Sequence, residues 1–510
     1  MDKMLNKIKA FFKRDKLQGD GVFALVFAVV LVVNILLTII VESFGLYLYE
    51  KNGIDYSISG NTDHLFEDAI NEGKKIKISF CIDKFDEEGY IDHATGKLVH
   101  RTALEFAEKY PALVEIDYIN VLTRRNQAGE LVDLGKYQKD MRGEETKLLK
   151  TSVIFECGEN YRVVTDIYST AGFADFFTVD SSGNAISYNG EEVIASMMSW
   201  VLRDEHKTAY FTQYHGEVVD IAFANLLVCA GYYIDVVDLK NESVPSDAGL
   251  VIISNPKSDF ERGAEGSGIV SELERLEKYL QGGGNLMVSL DPYVKKLTVF
   301  ENFLSEYGIG FSTSVTESGR LCRNIVKDTA GAITLDGFTI AVDYAEGELG
   351  DKIKNKVSEY SDGNVIIREA AALSLSGNAK PLLISGAAST LEADGTTVDT
   401  AGSYAVAAYS ETVTESGASA KIFVVPSVYL AVSDALVSRG YSNKDFVYAL
   451  LDEFFGAQNL PYGCNDVLYE TMTLENLTMR KARIYTAIIM VVPVSLAFAG
   501  LVVLIKRKNR

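Results

Sequence analysis

Cysteine is scarce in this chain: Cys81, Cys157, Cys229, Cys322 and Cys464 are scattered over 510 residues, with no CxxC and no other metal-ligand spacing. An odd count leaves at least one unpaired, so the pattern does not describe a disulfide framework. Cys81 and Cys229 sit in apolar runs, where a thiol is expected to behave as a small buried hydrophobe. Histidine is equally sparse. His64, His93, His100, His206 and His215 form no HxH or HxxxH pair, so a metal would have to be assembled from distant loops. There is no GxxxxGK[ST], which argues against ATP hydrolysis on this chain, and no GxSxG, the signature of a nucleophile elbow. A basic surplus is also missing. The net charge of −21 argues against nucleic acid and against adhesion of the main surface to anionic lipid. No cofactor is expected from any of these patterns.

The length suggests two or three domains. Positive charge gathers at the tips: residues 1–20 hold six Lys/Arg against three Asp, and residues 506–510 hold four Lys/Arg and no acid. Beside each basic tip lies an apolar run. Residues 21–41 carry no charge and are long enough for a bilayer core, so 21–43 is predicted as a transmembrane helix. The exit Val41-Glu42-Ser43-Phe44 lacks the small-x-small pattern of a cleaved signal peptide. Residues 484–505 are predicted as a second span, with Pro493 as a tolerated kink. The positive-inside rule puts both termini in the cytoplasm and residues 44–480 outside, although Arg480, Lys481 and Arg483 weaken the second assignment. Met4, Leu5, Ile8, Phe11 and Phe12 at helical spacing fit a tail on the inner membrane surface; a basic tail without fixed structure fits equally.

Between the spans an α/β pattern repeats. A strand at 75–82, a helix at 101–109, a strand at 113–121, mostly loop at 124–145, and a hairpin of 151–157 with 161–166 make 64–190 a small α/β domain of thioredoxin-like type. Without CxxC it carries no redox motif. A helix at 191–203 leads into a second domain, 191–310, with strands at 209–212, 232–239, 250–254 and 285–290 and helices at 272–281 and 302–307. Short apolar runs alternating with segments of helical period imply a parallel sheet covered by helices. Residues 311–402, frequent in Gly, Ser, Thr and Ala, are expected as a β-rich insertion. Strands at 403–409 and 421–426 and a helix at 446–455 then complete the second domain, 403–460.

In a parallel sheet the loops that follow the strands converge on one edge. His215, Gly216 and Glu217 follow the strand 209–212, Asn255 and Lys257 follow 250–254, and Asp291 follows 285–290. These six are the candidate ligand- or partner-binding residues. His215 with Glu217 could form an acid/base pair, but a loop His and Glu more often cap a helix or bond to neighbouring loops. Pro256 and Pro292 remove N–H groups that an oxyanion hole would need. Gly282-Gly283-Gly284 closes a helix rather than opening one, which fits a helix stop and not a phosphate loop.

The segments YFTQYHGE (210–217), AGLVIISNPKSDF (248–260) and LERLEKYLQGGGNLMVSLDP (273–292) resemble the GldG-like family, the auxiliary component of ABC-type transport systems linked to gliding motility. KPLLIS (380–385), KIFVVPSVYLAVSDA (421–435), residues 442–455 and the last apolar run with its basic tail follow in the same order. The resemblance covers nearly the whole chain and rests on that order, not on one motif. It implies a glutamine-amidotransferase-like, flavodoxin-like sheet without the catalytic cysteine, outside the membrane, working with a separate permease and ATPase. It implies no catalytic residue. Two features depart from the family: its Gly-His-Gly-Glu reads Tyr214-His215-Gly216-Glu217 here, and the segment between Asp259 and Glu272 is longer.

The function expected from these readings is that of a non-catalytic auxiliary subunit, anchored in the cell membrane beside an ABC permease and ATPase. Its ectodomain would bind an extracellular ligand or envelope component. The alternative is a cell-envelope ectoenzyme using His215, Glu217 and Asp291. An outward-facing sensor is disfavoured, because the cytoplasmic tails are too short to carry an output domain.

Overall fold

In residues 94–110 the buried positions Val99, Ala103, Phe106 and Tyr110 recur every three or four residues, which makes one apolar stripe on an otherwise polar helix. This helix, α1 (Ala94–Lys109), joins β1 (Ile76–Phe80) to β2 (Val114–Asn120). The two strands are parallel, with Ile76 opposite Val114 and Phe80 opposite Tyr118. β3 (Val153–Cys157) then runs antiparallel to β1, and β4 (Asn160–Val164) returns beside it through a tight Gly158-Glu159 turn. Gly158 has φ 61°, the left-handed conformation such a turn needs. With Arg125–Asn126 at one edge, the order is Arg125–Asn126, β2, β1, β3, β4. The computed structural model describes residues 58–81, 94–169, 175–179, 185–263, 270–317, 319–414, 417–438, 440–464 and 467–468. Both predicted spans and both basic tails lie outside these residues. No helix among the described residues is long and apolar enough to cross a membrane.

The second sheet has nine strands. After α2 (Gly190–Val201), the chain forms β5 (Thr208–Thr212), α3 (Ile221–Cys229), β6 (Tyr233–Val237), β7 (Ala248–Ser254), α4 (Glu272–Gln281), β8 (Asn285–Ser289) and α5 (Thr298–Glu306). Then come β9 (Thr339–Tyr344), α6 (Glu348–Tyr360), β10 (Val365–Arg368), β11 (Lys380–Ile384), β12 (Ala405–Val413), β13 (Ser419–Val425) and α7 (Asn443–Glu453). The order is β10-β9-β11-β12-β13-β8-β7-β5-β6. Strands β6, β5, β7, β8 and β13 are mutually parallel, and the remaining pairings are antiparallel.

Alternate residues of the central strands feed two layers. Val251, Ile253, Leu286, Val288, Ile422 and Val424 share one core cluster with Leu273, Leu276 and Leu280 of α4 and Phe300, Phe303 and Leu304 of α5. On the other face Phe211 meets Phe223 of α3 edge-on at 6.1 Å, and Phe423 meets Phe446 of α7 at 6.5 Å. Each fully buried Leu or Phe contributes about 2 kcal/mol of apolar burial. Helices on both faces are what make the parallel strands read as continuous apolar runs.

Taken in chain order, the parallel half reads second, first, third, fourth, fifth strand. The order reverses between β5 and β7, and in doubly wound sheets ligands bind outside the carboxyl ends of the strands at such a point. The six candidate residues lie there.

The stretch expected as a β-rich insertion turns out to be built into this sheet. β9, β10 and β11 form its antiparallel end, and the 13-residue helix α6 lies between β9 and β10. Shorter ladders in the same stretch pair Ile309–Phe311 with Leu373–Leu375 and Thr313–Val315 with Leu321–Arg323. None of the five cysteines is in a disulfide, and Cys81 and Cys229 are buried as expected.

Candidate functional site

The loop after β5 carries the first three candidate residues. Tyr214 (φ 77°) and Gly216 (φ 78°) are both left-handed and flank His215, so the chain turns sharply on either side of it. A side chain at Gly216 would begin 3.1 Å from the Cβ of Lys257, too close for comfort on top of the positive φ. Glu217 folds back into the loop: its Oε2 accepts the His215 N–H at 2.7 Å and its Oε1 accepts the Thr212 hydroxyl at 2.9 Å. The His215 carbonyl in turn accepts N–H groups of Lys257 at 2.7 Å and Ser258 at 3.0 Å, fastening this loop to the one after β7.

The imidazole of His215 points inward and is 2% exposed. It stacks on Phe260, ring centroids 3.9 Å apart and planes at 14°, and Phe260 continues onto Phe300 at 4.7 Å. Its Nε2 lies 3.2 Å from Glu272 Oε2, and its Nδ1 approaches Glu217 Oε1 at 3.4 Å without hydrogen-bond alignment. Glu272 opens α4, follows the N-cap Ser271, and also accepts the Glu261 N–H at 2.7 Å. Burial by itself would lower the pKa of His215, but Glu217 and Glu272 outweigh it and raise the value above its ordinary 6.5. Burial would raise Glu217, but His215 and the surrounding N–H and hydroxyl donors bring it below 4.5. Both directions share one cause, since the charged forms of His215 and Glu217 favour each other.

The other three residues form a second, outer layer. Asn255 sits at φ 56°, a conformation Asn tolerates better than most residues, and donates its N–H to Ser289 O at 2.9 Å. Its Oδ1 accepts the Asp291 N–H at 3.1 Å and the Lys257 Nζ at 3.0 Å. Lys257 Nζ also reaches Asp291 Oδ2 at 3.0 Å. This ion pair faces solvent, with side chains 42% and 28% exposed, so it holds the loops after β7 and β8 only weakly.

All six candidate residues therefore meet on one edge, but in two layers. The His215 imidazole and Glu217 are enclosed, and the groups that face His215 are Glu217, Glu272 and Phe260, not Asp291. In this closed arrangement the imidazole cannot reach a solute without opening the loop, whereas Lys257 and Asp291 can. Sequence reasoning missed Glu272 and Phe260. An acidic residue in the first turn of a helix is ordinary, so nothing in the sequence singled Glu272 out. Among the described residues no group of His, Cys, Asp and Glu could hold a metal ion.

Beyond the buried cluster, on the α3 side of the sheet, a small crevice opens at the same edge. Phe223, Ile252, Met287 and Val425 form its apolar lining, and Ser254 and Asn255 are at its rim. The Ser254 hydroxyl is used internally, donating to Val218 O at 2.7 Å. Asp220, also lining it, caps α3 by accepting the Ala222 and Phe223 N–H groups at 2.9 and 3.3 Å. The loop exposes Tyr214, Val218 and Val219, of which Val218 lines the crevice, and α3 opens with the exposed Ile221.

No protein-family model matches this chain, and no curated protein matches it either. Several solved structures share part of its course. The mmIFT52 N-terminal domain is 16% identical, covers 50% of this chain and 100% of its own, with a TM-score of 0.36. A ThuA-like protein from Parabacteroides merdae is 14% identical over 52% of this chain and 98% of its own, TM-score 0.30. A glutamine amidotransferase from Thermotoga maritima is 11% identical over 49% of this chain and 99% of its own, TM-score 0.27.

Proposed function

We propose that this chain is a non-catalytic, membrane-anchored auxiliary subunit of an ABC-type transport system. Its ectodomain comprises a thioredoxin-like unit followed by an amidotransferase-like unit. Both anchors hold it beside a separate permease and ATPase, with the termini in the cytoplasm. The reading rests on the ordered resemblance to GldG-like proteins and on the two apolar runs with their basic flanks.

One observation at the strand-end edge carries the non-catalytic part. The residues that could do acid/base chemistry, His215 and Glu217, are enclosed and committed to internal partners, while the same loop exposes Tyr214, Val218 and Val219 and α3 opens with the exposed Ile221. A loop that hides its titratable groups and presents apolar side chains suits contact with another protein better than turnover of a substrate. The test is affinity purification from native membranes in mild detergent with mass spectrometry of the companions. A permease and an ATPase are the expected companions; a chain that comes alone contradicts the reading.

A further inference from the structure

The loop that leaves β8 has two sides. One carries Asp291 and its pair with Lys257; the other forms the wall of a separate cavity of about 560 Å³. Pro292, Tyr293 and Val294 from this loop face Leu321, Cys322 and Ile325 across it.

Its charge is opposite to that of the chain. Lys295, Lys296 and Arg320 line the cavity, are exposed, and have no ion-pair partner among the described residues. In a chain of net charge −21, three unpaired cations around one hollow are out of proportion. The acids that line it do not neutralise them. Glu301 is taken by Arg323, whose Nη2 donates to Glu301 Oε1 at 2.7 Å with both side chains almost fully buried. That leaves Asp394 as the remaining acid of the lining.

Arg323 also gives the cavity a fixed wall. Its Nη1 donates to the carbonyls of Pro292 at 3.0 Å and Val294 at 2.7 Å, which holds the loop that carries Lys295 and Lys296. Lys295 and Lys296 are thus mounted on a loop pinned from beneath, and Arg320 reaches the cavity from the turn that precedes Leu321. Mutual repulsion of three unpaired cations around one hollow is relieved by an anion inside it, and a concave low-dielectric wall strengthens that attraction.

We propose that this cavity is a binding site for a small oxyanion-bearing solute, a carboxylate or a phosphate, held by Lys295, Lys296 and Arg320. The site is independent of the transport role: it would bind in the purified chain whether or not a permease is present.

Cys322 lines the cavity and is half-buried, so it reports on occupancy. In the detergent-solubilised full chain carrying Cys157→Ser, the remaining cysteines besides Cys322 are buried. Iodoacetamide then alkylates Cys322: sulfur displaces iodide from carbon, and the thiol proton passes to solvent. Inorganic phosphate and succinate are added separately, against chloride at matched ionic strength. At a concentration ten times the dissociation constant, a bound probe should slow alkylation about tenfold. The slowing should vanish in the triple variant Lys295→Gln, Lys296→Gln, Arg320→Gln, whose exposed positions leave the fold intact. Because a bound ion could leave Cys322 reactive, equilibrium dialysis of the same probes onto both chains is the second readout. Phosphate protecting alone marks a phosphate site and succinate alone a carboxylate site. Equal effects of chloride, equal binding by the triple variant, or neither protection nor binding by either probe would overturn the assignment.

Discussion

His215 and Glu272, 57 positions apart, meet with Nε2 3.2 Å from Oε2, both side chains 2% exposed. The contact ties the loop after the first strand of the parallel sheet to the helix after the third, across the point where strand order reverses. If its role is structural, His215→Ala leaves two buried carboxylates without their cation and should cost about 3–5 kcal/mol of stability. Lys257→Ala, which removes only the exposed contacts of its Nζ with Asp291 and Asn255, should cost under about 1 kcal/mol. Chemical unfolding of the two variants checks this; similar losses in both would contradict it.

The same cluster sets a pH dependence. His215 holds its proton more tightly folded than unfolded, so its contribution is full below about pH 6.5 and is lost as pH rises through the raised folded value. Glu217 is shifted the other way. Its contribution is full above about pH 4.5 and is lost as pH falls through the lowered folded value. Stability from the pair is therefore greatest between these limits. Between pH 6.5 and 8.5 the melting temperature of the unmodified chain should fall more steeply than that of His215→Gln; parallel profiles would show that the imidazole does not titrate with folding.

Tyr214 occupies a backbone conformation that favours glycine, the residue the resembled family has there. With φ 77° and 66% exposure it gives up little packing if truncated. Relief of the left-handed penalty, less the entropy glycine loses on folding, should make Tyr214→Gly more stable by about 0.5–1 kcal/mol. An increase in the urea midpoint at unchanged slope is the expected result, and a decrease would mean the tyrosine ring has a partner at this edge.

Much of the architecture was legible because its signals are local. Helix α4 runs over the predicted 272–281, bounded by Ser271 before it and three glycines after it. The central strands announced themselves as apolar runs, since both their faces are covered. Helix α6 was not read, because only Gly350, Ile353 and Val357 of its 13 residues are buried, too narrow a stripe among charged neighbours. The candidate residues were found from their position after strands. What the sequence could not reveal was which way each side chain faces: the positive φ values of Tyr214 and Gly216 turn His215 under the loop, and its partners Phe260 and Glu272 lie far along the chain.

The proposed topology makes an accessible prediction. Leu335 is fully exposed in the described fold and lies within the residues placed outside the membrane. Leu335→Cys should react with a membrane-impermeant maleimide on intact cells, above the background of the unmodified chain. Labelling only after the cells are opened would reverse the orientation.

We propose that this chain works beside a permease and an ATPase through the apolar residues at the strand-end edge. The direct measurement is quantitative mass spectrometry of proteins retained from native membranes by the tagged chain and by its Val218→Asp, Ile221→Asp variant. The unmodified chain should retain both transporter subunits, and the folded variant should retain them poorly. Recovery of the unmodified chain alone, with its fold intact, would contradict it.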